Sequence, residues 1–319
     1  MKKKFIRRLS ALLSLALIIT LVAPVPAMAA SGGKLVKSVK TYTYREQRKW
    51  NSTTRNYDVL KAKYEISSKR DFKYKNSYPS EIQTLNYSSE TGVIDTLSYK
   101  MKKNLPKSMK YKNSLKKVST KNKYNKKGLL VKSSYSSFFK RTKETEALKY
   151  NKNAFVTSFT TKYSYKNIWG TETRNSNYVY KYTYKMKKGL PKDLVSTYTY
   201  SSSYKDSLDP DDSGSSSGTG TPHFATYNSK GLITSAGSIY DGKRYVDYTV
   251  KYKSKKGVVT SAVVNIVDEN NENGTAKKVR PTRKYSFSYA KEKIAKGRYA
   301  NMINSMLGFG DSYGVYKWY

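Results

Sequence analysis

Aromatic and polar residues alternate with a period of two along much of the chain. From Phe155 to Tyr165 the odd positions carry Phe, Thr and Tyr, while the even positions carry mainly Ser, Thr and Lys. The tyrosines at positions 178, 180, 182 and 184 alternate in the same way with Val, Lys and Thr. Successive side chains of a β-strand point to opposite faces. The pattern therefore predicts a sheet with one aromatic face and one polar face, in which Tyr rings are half-buried and their hydroxyls stay hydrated.

A short phrase recurs between these strands: a Tyr, a Lys-rich step, a Gly and an aliphatic residue. Its clearest copies are Tyr124–Leu129, Tyr184–Leu190, Tyr227–Leu232 and Tyr252–Val258. Two further copies have Asn104 and Ala154 at the Gly position. We predict that the phrase forms a type I turn with a G1 bulge, in which Gly takes a positive φ and Asn caps its own backbone.

The chain must leave each turn and return before the next, so a longer connection, here called an arm, is expected midway between turns. Candidate arms lie at 45–56, 113–116, 139–145, 166–177, 205–223, 241–243 and 268–275. Residues 206–222 are rich in Asp, Ser and Gly, and we predict a flexible loop there. The predicted fold is all-β, a long antiparallel meander with every turn on one edge and every arm on the other. Because more than about ten strands rarely stay in one open sheet, it should be curled and barrel-like or two-layered.

The C-terminal part changes from a period of two to a helical spacing. We predict a helix over residues 290–307, ended by Gly308 and Gly310. Its apolar stripe consists of Ala295, Tyr299, Met302, Ile303 and Met306. Such a stripe is expected to pack over the open end or the aromatic face of the sheet.

The N-terminus has the features of a secretory signal peptide. Five Lys and Arg residues precede Leu9, a largely apolar run follows to Val22, and Ala27-Met28-Ala29 has the small-x-small cleavage pattern. We predict a signal peptide over 1–29, cleaved after Ala29, and a single β-meander domain over 30–319; an uncleaved membrane anchor is the alternative. No later apolar run is long enough to span a bilayer, and without Cys there is neither a lipid-anchored route nor a disulfide. The expected location is extracellular, with the protein held to the cell wall by charge.

The chain is strongly basic, with 62 Lys and Arg against 22 Asp and Glu and a net charge of +40. Between residues 31 and 205, 40 basic residues face 11 acidic ones. A field of this size favours polyanionic partners. We expect an anionic cell-envelope polymer similar to teichoic acid, or an acidic polysaccharide; acidic membrane lipids are a further candidate, and nucleic acid ranks behind. The alternative explanation is that Lys only keeps a Tyr-rich sheet soluble.

The predicted turns concentrate this charge on one edge of the sheet. Turns that join alternate strand pairs recur about every 10 Å, close to the Debye length of about 8 Å at physiological salt. Neighbouring clusters of ammonium groups should therefore act together on a polyanion. The candidate polyanion-binding residues are Lys102, Lys103, Lys126, Lys127, Lys187, Lys188, Lys255 and Lys256.

Two arms resemble each other and offer a second candidate site. In both, an Arg follows a Trp by five residues, as Trp50 with Arg55 and Trp169 with Arg174. An exposed Trp beside an Arg can stack on a sugar ring or form a cation-π pair. The alternative function is therefore a carbohydrate-binding adhesin, unless each Trp folds back to cap its own arm.

The sequence offers little material for catalysis. It has no Cys and a single His, His223, so nucleophilic triads and typical zinc sites are not expected. The stretch from Asp209 to Gly214 begins like a calcium loop, but Gly220 stands where the closing Glu belongs. We therefore predict a protein that is not an enzyme, with no catalytic residue, no metal site and no cofactor.

The turn phrase resembles the Tyr-Asp-x-x-Gly-Arg-Leu phrase of YD (Rhs-type) repeats. The resemblance covers the turns, with Asn125, Asn151 or Asn228 in place of the family's Asp and no Arg after the Gly. YD repeats build antiparallel β-meanders in exported bacterial proteins, so the resemblance implies this fold and export. It implies no activity, because the large toxin-enclosing shells of that family need a much longer chain.

Overall fold

The structure, a computed structural model, describes residues 33–309 except 76, 88–93, 103–104, 113–116, 126–128, 137–141, 168–170 and 210–212. The strands are β1 (Lys34–Asn51), β2 (Asn56–Lys75), β3 (Tyr78–Asn86), β4 (Ile94–Lys102), β5 (Leu105–Lys112), β6 (Lys117–Tyr124), β7 (Leu130–Ser136), β8 (Thr142–Tyr150), β9 (Val156–Lys166), β10 (Glu172–Lys187), β11 (Leu190–Asp206), β12 (Gly214–Thr219), β13 (His223–Tyr227), β14 (Ile233–Tyr240), β15 (Lys243–Lys255), β16 (Val258–Asn270) and β17 (Ala276–Lys293). One helix follows them, α1 (Lys296–Met306). The all-β prediction is confirmed. The predicted signal peptide and its cleavage site after Ala29 lie outside the described residues.

All the strands belong to one antiparallel sheet that curls on itself. Successive strands pair along the chain, and β11 contacts both β12 and β13. β1 pairs with β2 and also with β17, so the meander curls until its last strand meets its first. Of the two predicted arrangements, the single curled sheet is observed. No helix in the described ranges is long and apolar enough to cross a membrane.

The connections between strands sort to two ends of the sheet. We call turn end the edge formed by the tight hairpins at residues 75–78, 102–105, 124–130, 150–156, 187–190, 227–233 and 255–258. The opposite edge, the arm end, carries the connections that follow β1, β3, β5, β7, β9, β11, β14 and β16. This arrangement confirms the prediction that all copies of the turn phrase lie on one edge.

The two forms of the turn phrase make two different turns. In the four-residue form at Asn228, the side-chain oxygen accepts hydrogen bonds from the backbone N–H groups of Lys230 (2.9 Å) and Leu232 (3.2 Å). Gly231 has a φ of 74°, as the predicted G1 bulge requires. The five-residue form differs from the prediction, because Lys188 and Gly189 both have positive φ, at 51° and 77°. Positive φ at both central residues defines a two-residue type I′ turn, whose twist matches that of the flanking strands.

Ala154 occupies the left-handed position of its turn with a φ of 69°. Conformational strain in this region costs a residue with a Cβ about 1–2 kcal/mol in the folded state. Gly avoids this strain, but its larger loss of backbone entropy on folding costs about 0.5–1 kcal/mol. We therefore expect Ala154→Gly to raise the free energy of unfolding by about 0.5–1 kcal/mol, measured as a higher urea midpoint. The reciprocal change Gly231→Ala, with Ala300 Cβ 3.3 Å from the new Cβ, should lower it. An unchanged or lower midpoint for Ala154→Gly would show that the turn is not strained.

Every hairpin at the turn end has one extra residue in its second strand. The register shifts between Lys73 and Tyr74, and at equivalent points of the other six hairpins. Tyr150 Oη donates to Leu130 O at 2.7 Å, and Tyr252 Oη donates to Ile233 O at 2.7 Å. Both carbonyls belong to the residue just before the extra one, where the bulge interrupts the ladder. Tyr side chains of one hairpin thus supply a donor to the bulge of the hairpin before it.

The predicted flexible loop 206–222 is wrong in its second part, because residues 214–219 form β12 and pair with β11. Its Gly and Ser residues have low intrinsic preference for strands, but the glycines leave room for the aromatic face of β11. A Cβ on Gly220 would lie 1.7 Å from Tyr198 Cζ, and one on Gly218 would lie 3.0 Å from Tyr200 Cε1. Packing of Tyr rings over glycine therefore holds a segment that composition alone assigns to a loop.

The predicted helix 290–307 begins later than expected, at Lys296, because Ala290–Lys293 continue β17, whose end pairs with the start of β1. Four residues of the predicted stripe, Tyr299, Met302, Ile303 and Met306, are buried, whereas the fifth, Ala295, precedes the helix and is exposed. The buried apolar residues of the strands lie towards the turn end, where they join α1 in one core. The arm half of the sheet is more exposed.

Polar side chains of α1 bind the backbone of several turn-end hairpins. Arg298 donates to Ser77 O (2.8 Å), Asn301 to Ala154 O (3.1 Å) and Asn304 to Gly231 O (3.0 Å). The hairpins of Ser77 and Ala154 are six strands apart, about 29 Å in a flat sheet, whereas an 11-residue helix is about 16 Å long. The helix reaches both because the sheet is curled, and it lies across the turn end.

Candidate functional site

The structure places the described candidate lysines in the backbone segments of the turn end. Lys187, Lys188, Lys255 and Lys256 are exposed and flank or form the two type I′ turns. Lys102 ends β4 at the same edge. Lys103, Lys126 and Lys127 lie outside the described residues. The described members of the set thus share one end of the sheet, on hairpins that are far apart in the sequence.

Charge is distributed unequally between the two ends. Each of the seven turn-end segments contains at least one Lys, and none contains Asp or Glu. Acidic residues occur instead in the arm-end connections, among them Glu90, Asp209, Asp241 and Glu272. The turn-end hairpins therefore carry charge of one sign, whereas the arm-end connections are mixed.

Tyrosine ionisation does not offset this positive charge. Burial raises the pKa of Tyr124 to about 12, although the hydrogen bond from Asn122 partly counteracts it. Burial also raises the pKa of Tyr150, Tyr184 and Tyr227. These hydroxyls remain neutral at physiological pH, and their phenol oxygens add no negative charge to the turn end.

The described arm-end candidates have different surroundings. Trp50 has an exposed fraction of 52% near the end of β1, and Arg55 follows in the connecting turn with a φ of 50°. Arg174 donates from Nε to Glu172 Oε1 at 2.6 Å and lies 5.1 Å from the centre of the Tyr204 ring. Trp169 lies outside the described residues. Arg174 therefore contacts its own strand and β11.

The structure shows one polar groove that the sequence analysis did not single out. It lies on β8 to β12 in the arm half of the sheet, and its lining is mainly Ser, Asn, Thr and Lys. The available signal was the polar half of the alternating pattern, such as Lys162 and Ser164, which predicted a polar face but no groove. Recognising a groove needs the cross-strand register as well.

The described residues contain no cluster of side chains that suits a metal ion. No cluster of three or more His, Asp or Glu side chains that could hold a metal ion is present there. Burial lowers the pKa of His223, which keeps its imidazole neutral. Arg244 and Asp193 form a bidentate ion pair between strands: Arg244 donates from both terminal nitrogens to the Asp193 carboxylate at 2.7 and 2.8 Å.

Comparison with known proteins gives loose matches only. No protein-family model matches the sequence, and no curated protein matches it. A porin-like protein from Bacteroides uniformis ATCC 8492 matches with a TM-score of 0.28 and 11% identity, over 80% of this chain and 98% of that chain. A porin-like protein from Bacteroides vulgatus ATCC 8482 matches with a TM-score of 0.30 and 9% identity, over 81% of this chain and 100% of that chain. At such TM-scores the matches carry no argument about function, which has to come from the site itself.

Proposed function

We propose that this chain is an exported, non-enzymatic protein of the cell envelope that binds an anionic wall polymer through the lysines of its turn end. The placement of charge supports the proposal: seven hairpins bring Lys and no carboxylate to one end of a single sheet. A linear polyanion along this end would contact several ammonium groups and release its counterions. Binding of this kind weakens steeply as salt is raised.

A four-lysine variant tests the turn end without disturbing its hairpins. Lys188 and Lys256 are changed to Asn, which suits their positive φ better than Lys does. Lys187 and Lys255, which are exposed at the adjoining strand ends, are changed to Gln. In sedimentation with isolated cell walls over a NaCl series, each lost contact should reduce the slope of log affinity against log salt by about 1.

A matched control removes the same charge from exposed positions away from the turn end. Changing Lys49, Lys61, Lys243 and Lys278 to Gln removes four positive charges, the same number as in the turn-end variant. All four lysines are exposed on strands near the arm end. We expect the control to bind walls nearly as the wild type does. Equal losses in the two variants would show that only net charge matters, and retention of the wild-type protein at high salt would refute the electrostatic proposal.

The carbohydrate-binding alternative is supported by the exposure of Trp50 at the arm end. Stacking on a neutral sugar does not depend on counterion release, so such binding should survive high salt. Trp50→Ala should abolish it and leave turn-end binding unchanged. The same wall experiment therefore separates the two functions.

A further inference from the structure

The groove in the arm half lies mainly on the outer face of the sheet. Leu148, Phe159 and Tyr182 are buried and mark the inner face of β8, β9 and β10. The groove residues of these strands are mainly at the alternate positions, which point the other way. The groove has a volume of about 750 Å³ and runs across five strands.

Strand register aligns the groove side chains into rows. One row consists of Lys143, Ser164, Asn175, Ser203 and Ser215, each paired with the next across neighbouring strands. The next row, two residues along each strand, consists of Thr145, Lys162, Asn177, Ser201 and Ser217. Strands are about 4.8 Å apart, so each row spans about 19 Å. Hydroxyl and amide groups are thus repeated at a regular spacing over the length of several sugar units.

The chemistry of the rows points to an acidic, hydroxyl-rich ligand. Lys143 and Lys162 supply two exposed ammonium groups, and neither row contains a carboxylate. Asn177 Oδ1 is buried in the floor of the groove and accepts no hydrogen bond from the described residues. A buried acceptor without a donor is uncommon and costly. A ligand hydroxyl could supply the donor once the Asn177 amide rotates towards the groove.

We propose that this groove binds a segment of an acidic polysaccharide. The Ser, Thr and Asn side chains hydrogen-bond its hydroxyl groups, and Lys143 and Lys162 pair with its carboxylates or sulfates. The site lies towards the arm end and uses none of the turn-end lysines. The proposal therefore goes beyond the wall-binding function and stands or falls separately from it.

Calorimetric titration of the purified protein with a galacturonic acid hexamer tests the proposal. A neutral galactose hexamer and polyphosphate serve as comparison ligands. Asn175→Ala with Asn177→Ala should weaken binding of the acidic hexamer about tenfold, and Lys143→Gln with Lys162→Gln should weaken it by a similar factor with a shallower salt dependence. Lys243→Gln with Lys278→Gln removes the same charge elsewhere and should change the affinity by less than twofold.

The comparison ligands distinguish recognition of an acidic sugar from binding by charge alone, and the folding controls test whether the variants keep the native fold. The galactose hexamer should bind at least tenfold more weakly than the acidic hexamer, and polyphosphate should be insensitive to the Asn substitutions. Circular dichroism of the Asn variant should match the wild type, and its urea midpoint should equal or exceed that of the wild type, because the change removes a buried acceptor that lacks a donor. The proposal is overturned if the acidic hexamer does not bind, if the Asn variant binds it normally, or if polyphosphate loses affinity equally in that variant. Loss of wall binding in the turn-end variant with normal hexamer binding would support two separate sites.

Discussion

Replacing Asn304 with Leu should lower the free energy of unfolding by about 2–6 kcal/mol. Asn304 is buried in α1, where Oδ1 accepts the backbone N–H of Ile233 at 3.1 Å and Nδ2 donates to Gly231 O at 3.0 Å. Leucine has a similar size but cannot make either bond. Each buried backbone group left without a partner costs about 1–3 kcal/mol. Urea unfolding followed by tyrosine fluorescence and far-ultraviolet circular dichroism would measure the loss.

Two substitutions in the same helix provide the comparison for Asn304→Leu. Ser305 donates to Met302 O at 2.9 Å, within α1 itself, and Ser305→Ala should change stability by less than about 0.5 kcal/mol. Asn301 makes one bond, to Ala154 O, and Asn301→Ala should fall between the two. If Asn304→Leu unfolded at the same urea concentration as Ser305→Ala, the helix would not be fixed to the turn end through this side chain.

Substituting Gly33 with Ala should lower the free energy of unfolding by about 3 kcal/mol, at the upper end of the usual range for overpacking. The new Cβ would lie 2.0 Å from Tyr299 Cδ2. That ring has an exposed fraction of 4%, and its Oη accepts the backbone N–H of Val259 at 2.7 Å. It cannot move aside without breaking this bond. The helix must therefore shift, or the start of β1 must leave its place.

Gly214→Ala is the matched control for Gly33→Ala. No atom lies within 4 Å of a Cβ at Gly214, and its φ is not positive. Its urea midpoint should equal or slightly exceed that of the wild type, since Ala restricts the unfolded chain more than Gly does. Equal midpoints for the two variants would contradict the close contact between β1 and α1. Amide hydrogen exchange would then show whether the helix opens separately from the sheet.

The parts of the fold that sequence predicted are those encoded by local pattern. Alternation of Tyr and Thr with Ser and Lys marks a strand wherever it occurs, because the period of two is a property of the strand itself. The common edge of the turns follows from chain connectivity, since an antiparallel meander returns to the same edge after every second strand. The apolar stripe of Tyr299, Met302 and Ile303 was equally visible because a helix repeats every 3.6 residues.

The parts that sequence missed depend on partners far away in the chain or on packing. Lys293 remains in a strand because it pairs with Lys34, a contact that no local window contains. β12 pairs with β11, whose Tyr rings lie over Gly218 and Gly220, and its Ser-rich composition gives no local signal for this. The exposed lysines of the candidate site were predictable from turn chemistry. The groove was not, because its rows appear only after five strands are placed in register.

The pairing of the first strand with the last makes completion of the sheet a late event. Val39 is opposite Phe287, so this contact closes a loop of nearly the whole described chain. Contacts over such distances slow folding, because the entropy of loop closure must be overcome first. Until β17 arrives, one edge of β1 and one edge of β16 present unpaired backbone groups on Tyr- and Val-rich strands, a template for association between chains. Exposed lysines of β1, such as Lys37 and Lys40, would then keep partly folded copies apart, a role for charge that ends once β17 pairs with β1.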